Sequence, residues 1–99
     1  MVGVMLVKQK VESVGQWNAV FRNPDLDAVR REHGLVVTGT YADANDPNTV
    51  IVVMDMHDLA KARRFAGSAE LAAARERAGA IGSPDGVWFG SQQIIWPAS

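Results

Sequence analysis

Four stretches of this chain carry apolar residues at strand-like spacing, and two longer stretches between them carry apolar residues at helical spacing. From Val2 to Val7 both parities are apolar, and polar residues enter only towards Val11. Such a run suits a strand covered on both sides, since neither face can be given to water. Leu35–Tyr41 and Thr49–Met56 are further strands, joined by Asp43-Ala44-Asn45-Asp46-Pro47-Asn48. That link is short and turn-forming, so the two strands form an antiparallel hairpin. Val87–Ile95 is the last strand, reached through Gly82-Ser83-Pro84-Asp85-Gly86.

Each helical stretch contains a second start signal. Ser13 can cap Val14, Trp17, Val20 and Phe21, which recur at helical spacing. Asn23-Pro24-Asp25 then restarts the pattern, with Pro24 suited to a first helical position and Gly34 to a stop. In the same way Asp58 caps Leu59–Ala66, Gly67 interrupts, and Ser68 caps Ala69–Ala78 before Gly79. The order is β-α-β-β-α-β with both helices broken: a ferredoxin-like α+β fold, with a four-stranded antiparallel sheet and two broken helices on one face. The expected domain is single and spans residues 1–99.

Alternation within Thr49–Met56 leaves the second sheet face apolar as well. If Ile51, Val53 and Asp55 face one way, then Val50, Val52, Met54 and Met56 face the other. An open apolar face on a small chain marks an interface, and two sheets paired through it make a dimeric α/β barrel. The segment Gln92–Trp96 is long enough to reach a partner.

Composition narrows the function class. Ninety-nine residues bury only roughly 60–65% of their unfolded surface, which also favours dimerisation. A net charge of −1 supplies no footprint for nucleic acid or an anionic membrane. No cysteine is present, so disulfide and thiol chemistry are excluded and a reducing, cytoplasmic setting is expected. No stretch has the length to cross a bilayer, and VGVMLV lacks a basic leader. The two histidines lie far apart without partners at ligand spacing, so neither a metal site nor a cofactor is expected.

The segments QWNAVF, ADANDPNTVIVVMDMHDLAKARRFA and GSAELAAARERAGAIGSPDGVWF resemble the dimeric α/β-barrel superfamily. That superfamily includes antibiotic biosynthesis monooxygenases and small polyketide cyclases. The resemblance runs from Gln16 to Phe89 and implies the fold, a homodimer and a ligand cavity between helices and sheet. It also implies places where catalytic residues can be sought. Oxygenases of the superfamily use an Asn on the first strand and a Trp, often with a His, on the second helix; Val2–Val11 and Leu59–Ala78 contain none of these. The barrel cyclase of plant type uses a Tyr and a His around the second helix break, where this chain has Arg64 and Glu70.

Candidate site residues follow from the pattern. Asp55 and His57 share a parity at the end of the third strand, as an orienting carboxylate and a general base or as a solvated strand end. The Tyr41 phenol could bond a ligand carbonyl, or stand at the rim. Trp17, Phe21, Phe65 and Trp88 would converge between helices and sheet, as cavity walls for a flat ligand or as core. Arg30, Arg31, Arg63 and Arg64 are clamps for a carboxylate or phenolate, or solvated face; Arg64 is placed with the ligand-binding set. Arg75-Glu76-Arg77 reads as solvated surface.

The leading expectation is a cofactor-free enzyme acting on a hydrophobic, aromatic or polyketide-like carbonyl compound. The substrate would be enclosed between helices and sheet, with His57 or Tyr41 handling a proton. Cyclisation or another proton transfer ranks above oxygenation, because the oxygenase residues are missing. The alternatives are a cofactor-free monooxygenase of the same superfamily, a non-catalytic small-molecule-binding or accessory protein, and a purely structural dimer.

Overall fold

The computed structural model describes residues 3–94. Its elements run β1 (Gly3–Lys10), α1 (Val14–Phe21), α2 (Pro24–Glu32), β2 (Leu35–Asp43), β3 (Asp46–Met56), α3 (Leu59–Ala66), α4 (Ala69–Arg77) and β4 (Gly86–Ser91). The sheet order is β2-β3-β1-β4 with every neighbouring pair antiparallel. This is the ferredoxin-like α+β fold, with each crossover carrying two short helices in place of one.

Local chemistry explains both breaks. The Asn23 side chain accepts from the Asp25 amide at 2.8 Å, opening α2 immediately after α1, with Pro24 in the first turn where its missing N–H costs nothing. Ser68 accepts from the Leu71 amide at 3.1 Å and opens α4 one residue after Gly67 closes α3. Ser13 and Asp58 cap α1 and α3 as expected, through the Gln16 and Lys61 amides. Gly34 and Gly79, with φ of +71° and +79°, supply the left-handed turns after α2 and α4 that a Cβ would strain.

Two element ends differ from the sequence pattern. The hairpin link expected over Asp43–Asn48 is mostly strand, and the turn itself is only Ala44-Asn45. The Asp46 carboxylate accepts from the Asn48 amide at 3.0 Å and the Thr49 hydroxyl at 2.8 Å, which shapes the chain inside the turn. These bonds, the Thr49 hydroxyl foremost, hold the Asp46 carboxyl below its ordinary pKa. The last strand, expected to Ile95, ends at Ser91, which pairs with Gly3 of β1. Gln92 to Ile94 are exposed and outside β4, while Ile95 and Trp96 of the proposed arm lie outside the described residues.

Register decides which side chains meet. Met5 opposes Met54 and Phe89, Val7 opposes Val52 and Val87, and Gln9 opposes Val50. That parity faces the helices and joins Trp17, Leu35, Ala62, Phe65 and Ala78 in one buried cluster. The other parity carries Val4, Leu6, Val36, Ile51, Val53, Tyr41 and Trp88 on a face that none of the described helices covers. There the Tyr41 ring lies against Gly39 and the Trp88 ring against Gly86, where a Cβ would collide with each. The two edge-strand aromatics therefore fold back over glycines of their own strands.

Leu35 is fully buried where β2 meets β3, beside Met56. Leu35→Ala should cost about 3 kcal/mol in urea unfolding, from lost transfer energy plus the cavity left behind. A loss below about 1 kcal/mol would show that this end of the core is loosely packed.

Candidate functional site

Four helices of eight or nine residues each lie over the inner sheet face. Their junctions leave a cavity of ≈ 230 Å³ between the helices and the inner sheet face. Met5, Val7, Val52, Met54 and Val87 form its floor, and Trp17, Phe21, Phe65, Ala66 and Leu71 form its walls. Trp17 and Phe21 stack with ring centroids 4.1 Å apart, presenting a flat apolar wall. A dry cavity of about 150 Å³ accepts benzene, so this one is sized for roughly two fused rings.

Two guanidinium groups interrupt the apolar lining. Arg30 of α2 is only 5% exposed. Its Nη2 donates to the Phe21 carbonyl at 2.7 Å and stands 3.5 Å from the Asp27 carboxylate. The side chain thus satisfies the last carbonyl of α1 and ties the two halves of the first crossover together. Its Nε and the Trp17 indole Nε1 are buried with no hydrogen-bond partner among the described residues. Burial lowers the Arg30 pKa, partly offset by Asp27, yet a guanidinium so placed stays protonated at neutral pH.

Arg75 of α4 sits on the opposite side, towards β1 and β4. It donates to Gln9 Oε1 through Nη2 at 2.7 Å and Nε at 3.2 Å, and to the Gly82 carbonyl at 2.8 Å. Gln9 is completely buried, and its amide donates to the carbonyls of Lys10 at 2.8 Å and Ile81 at 3.2 Å. This network fastens the loop after α4, whose Pro84 closes that end of the cavity. The expectation that Arg75 is solvated surface is corrected: it shares a helix face with Leu71 and Ala78, at four and three residues' distance, which points it inward.

The sequence-derived candidates divide into two groups. Trp17, Phe21 and Phe65 meet at the cavity as expected. Trp88 does not: its place opposite Leu6 puts it on the open face, 54% exposed, while its neighbours Val87 and Phe89 face inward. Arg64 is exposed and absent from the cavity lining; Arg63 lies over Phe89 at 5.9 Å, and Arg31 pairs outward with Asp27 at 2.8 Å. Tyr41 is 59% exposed and pairs with Ile51 on the open face. Asp55 shares that face, opposite Val4 and Val36. His57 is exposed just beyond β3, its amide donating to the Gly34 carbonyl at 2.9 Å. No hydrogen bond or ion pair joins Asp55 to His57 among the described residues. Strand parity separates all three from the cavity.

Among the described residues no His, Asp, Glu or Tyr lines the cavity, so the polar side-chain groups they bring to it are donors only. It can enclose a flat apolar molecule and stabilise negative charge on that molecule's oxygen. No group of three metal-ligating side chains exists among the described residues. No helix there is long and apolar enough to cross a membrane.

Asp27 adds a pH dependence. A hydrogen bond from Arg31 is the largest of the influences that hold its carboxyl below the ordinary 3.8, against some desolvation. Its stabilising contribution is fully present above pH 3.8 and is lost as the pH falls through the lower folded value. Asp27→Asn should therefore flatten the fall of stability below pH 3.8 in acid titrations followed by circular dichroism. An unchanged acid limb would contradict this role.

No family model matches the chain, and no curated protein does. Solved structures share its fold. A Bordetella bronchiseptica protein provisionally named an antibiotic biosynthesis monooxygenase superposes with a TM-score of 0.70 at 16% identity, over 95% of this chain and 98% of that one. A Nitrosomonas europaea protein of the same provisional name gives 0.59 at 14% identity, over 99% and 94%. A third structure, named an antibiotic biosynthesis monooxygenase, gives 0.60 at 13% identity, over 96% and 100%. The likeness is one of fold, and it is the fold that the resembling segments implied.

Proposed function

We propose that this chain is a small cofactor-free enzyme that encloses a flat, apolar carbonyl compound and promotes its enolisation, leading to ring closure. The cavity walled by Trp17, Phe21 and Phe65, with the buried Arg30 cation at its edge, carries this reading. Enolisation puts negative charge on a carbonyl oxygen, and a fixed cation in an apolar site stabilises that charge far better than water does. The Trp17 indole N–H, buried without a partner among the described residues, is a second candidate donor. With the enolate favoured, the proton passes to water, and the apolar walls hold the substrate folded so that the enolate carbon adds to a second carbonyl of the same molecule, whose C=O π bond opens to an alkoxide that takes a proton back from water. No protein base is required, which suits a cavity without a carboxylate or imidazole.

Oxidation by dioxygen is the second reading, supported by the names of the structures sharing this fold. The same stabilised anion would then be the electron donor to dioxygen. Oxygen uptake with 1,4-dihydroxynaphthalene above its spontaneous rate distinguishes this outcome.

Deuterium exchange at C2 of 1-phenylbutane-1,3-dione, followed by proton NMR, tests enolisation directly. Wild type should accelerate exchange, and Arg30→Met should remove at least about tenfold of that acceleration. His57→Ala and Tyr41→Phe should stay within about twofold of wild type, since neither side chain lines the cavity. Exchange unaffected by the protein, or abolished by His57→Ala alone, would contradict the mechanism.

Pairing of two copies through the open face is proposed on the apolar character of Leu6, Ile51, Val53 and Trp88. Sedimentation should show a dimer that Ile51→Glu converts to monomer. A wild-type monomer would contradict the pairing.

A further inference from the structure

The cavity holds a second cation that enolate stabilisation leaves unused. Arg75 lines the cavity, yet it has no carboxylate partner within 4 Å among the described residues. Its hydrogen bonds go only to neutral acceptors, Gln9 Oε1 and the Gly82 carbonyl. Gln9 is the one polar residue on the inward parity of β1 after Met5 and Val7, and it is wholly buried. Both its amide ends are occupied, the oxygen by Arg75 and the nitrogen by carbonyls of Lys10 and Ile81. The guanidinium is thus held in one pose by a group that cannot neutralise it. Burial also lowers the Arg75 pKa, the cost of keeping a cation there without a counter-ion.

The two cations stand on opposite sides of the cavity. Arg30 lies towards β2 and β3, and it also borders an outer groove with Val37, Thr40 and Val52. Arg75 lies towards β1 and β4, beside Gln9, Pro84 and Val87.

We infer that the substrate is a bifunctional apolar acid, an aromatic or polyketide-like keto or hydroxy carboxylate, whose carboxylate is held by Arg75 while its reacting oxygen meets Arg30. This inference rests on the cavity reading given above and adds the substrate's second functional group. Arg75 binds and orients in this scheme, and Gln9 is the residue that positions it. Nε and Nη2 of Arg75 are spent on Gln9 and Gly82, so the two N–H groups of Nη1 are the ones left to hold a carboxylate.

The probes are 6-hydroxy-2-naphthoate and 2-naphthol, which share a two-ring skeleton and differ in the distal carboxylate. Calorimetric titration of wild type should give at least about tenfold tighter binding for 6-hydroxy-2-naphthoate. Arg75→Met should collapse that ratio to about one, and Arg75→Lys should restore part of it. A thermal melt of each variant separates loss of binding from loss of folding. Because a folding defect weakens both probes alike, the ratio reads the carboxylate contact itself. Equal binding of the two probes by wild type would overturn this inference while the cavity reading stands. A preference that survives Arg75→Met would overturn it as well. If neither probe binds, the cavity reading and this inference fall together.

Discussion

The two-residue period of β3 is the constraint on which the rest of this structure depends. Val50, Val52, Met54 and Met56 point to the helices and are buried, so the intervening Ile51, Val53 and Asp55 must point away. Pairing carries the same division onto β1, β2 and β4. A side chain on the wrong parity cannot reach the inner layer without a one-residue slip that would expose the whole core set. Chemistry between helices and sheet is thereby reserved to one parity. Tyr41 and Asp55 lie on the other, and His57 stands exposed at its end.

The second determinant is the break in each crossover. Four separate caps let eight- and nine-residue helices bend over the sheet, and the breaks leave the cavity at their meeting point. Polar anchors close the corners: Arg30 satisfies the end of α1, and Arg75 with Gln9 fastens the loop after α4. These side chains hold the scaffold and also place positive charge where a ligand would lie. Structure and chemistry share the same two guanidinium groups, so a ligand anion would relieve a charge that the fold already carries.

Much of the fold was legible because caps and glycines are local signals. Ser13, Asn23, Asp58 and Ser68 marked helix starts, and each accepts the expected backbone amide. The site was less legible, since register is a property of strand pairs. Nothing local in GVWFG says whether Trp88 or its neighbours face inward; the pairing of Val7 with Val87 decides it. Arg30 was one of four arginines open to reading as clamp or solvated face, and Arg75 read as surface. The available signals were their helical spacing, Arg30 four residues from Leu26 and Arg75 four from Leu71, and a Gln at position 9 on the inward parity of Met5 and Val7. A polar residue on an otherwise apolar parity asks for a buried partner, and here the partner is Arg75.

On the proposed mechanism a flat apolar ligand enters between the layers and leaves the open sheet face untouched. Methyl NMR of the protein titrated with 2-naphthol tests this most directly, because the two faces carry distinct reporters. The methionine methyls of Met5 and Met54 line the cavity, whereas Ile51 lies on the open face. Ring-current shifts are expected at Met5 and Met54, with Ile51 unmoved. Shifts at Ile51 with Met5 and Met54 unmoved would contradict it.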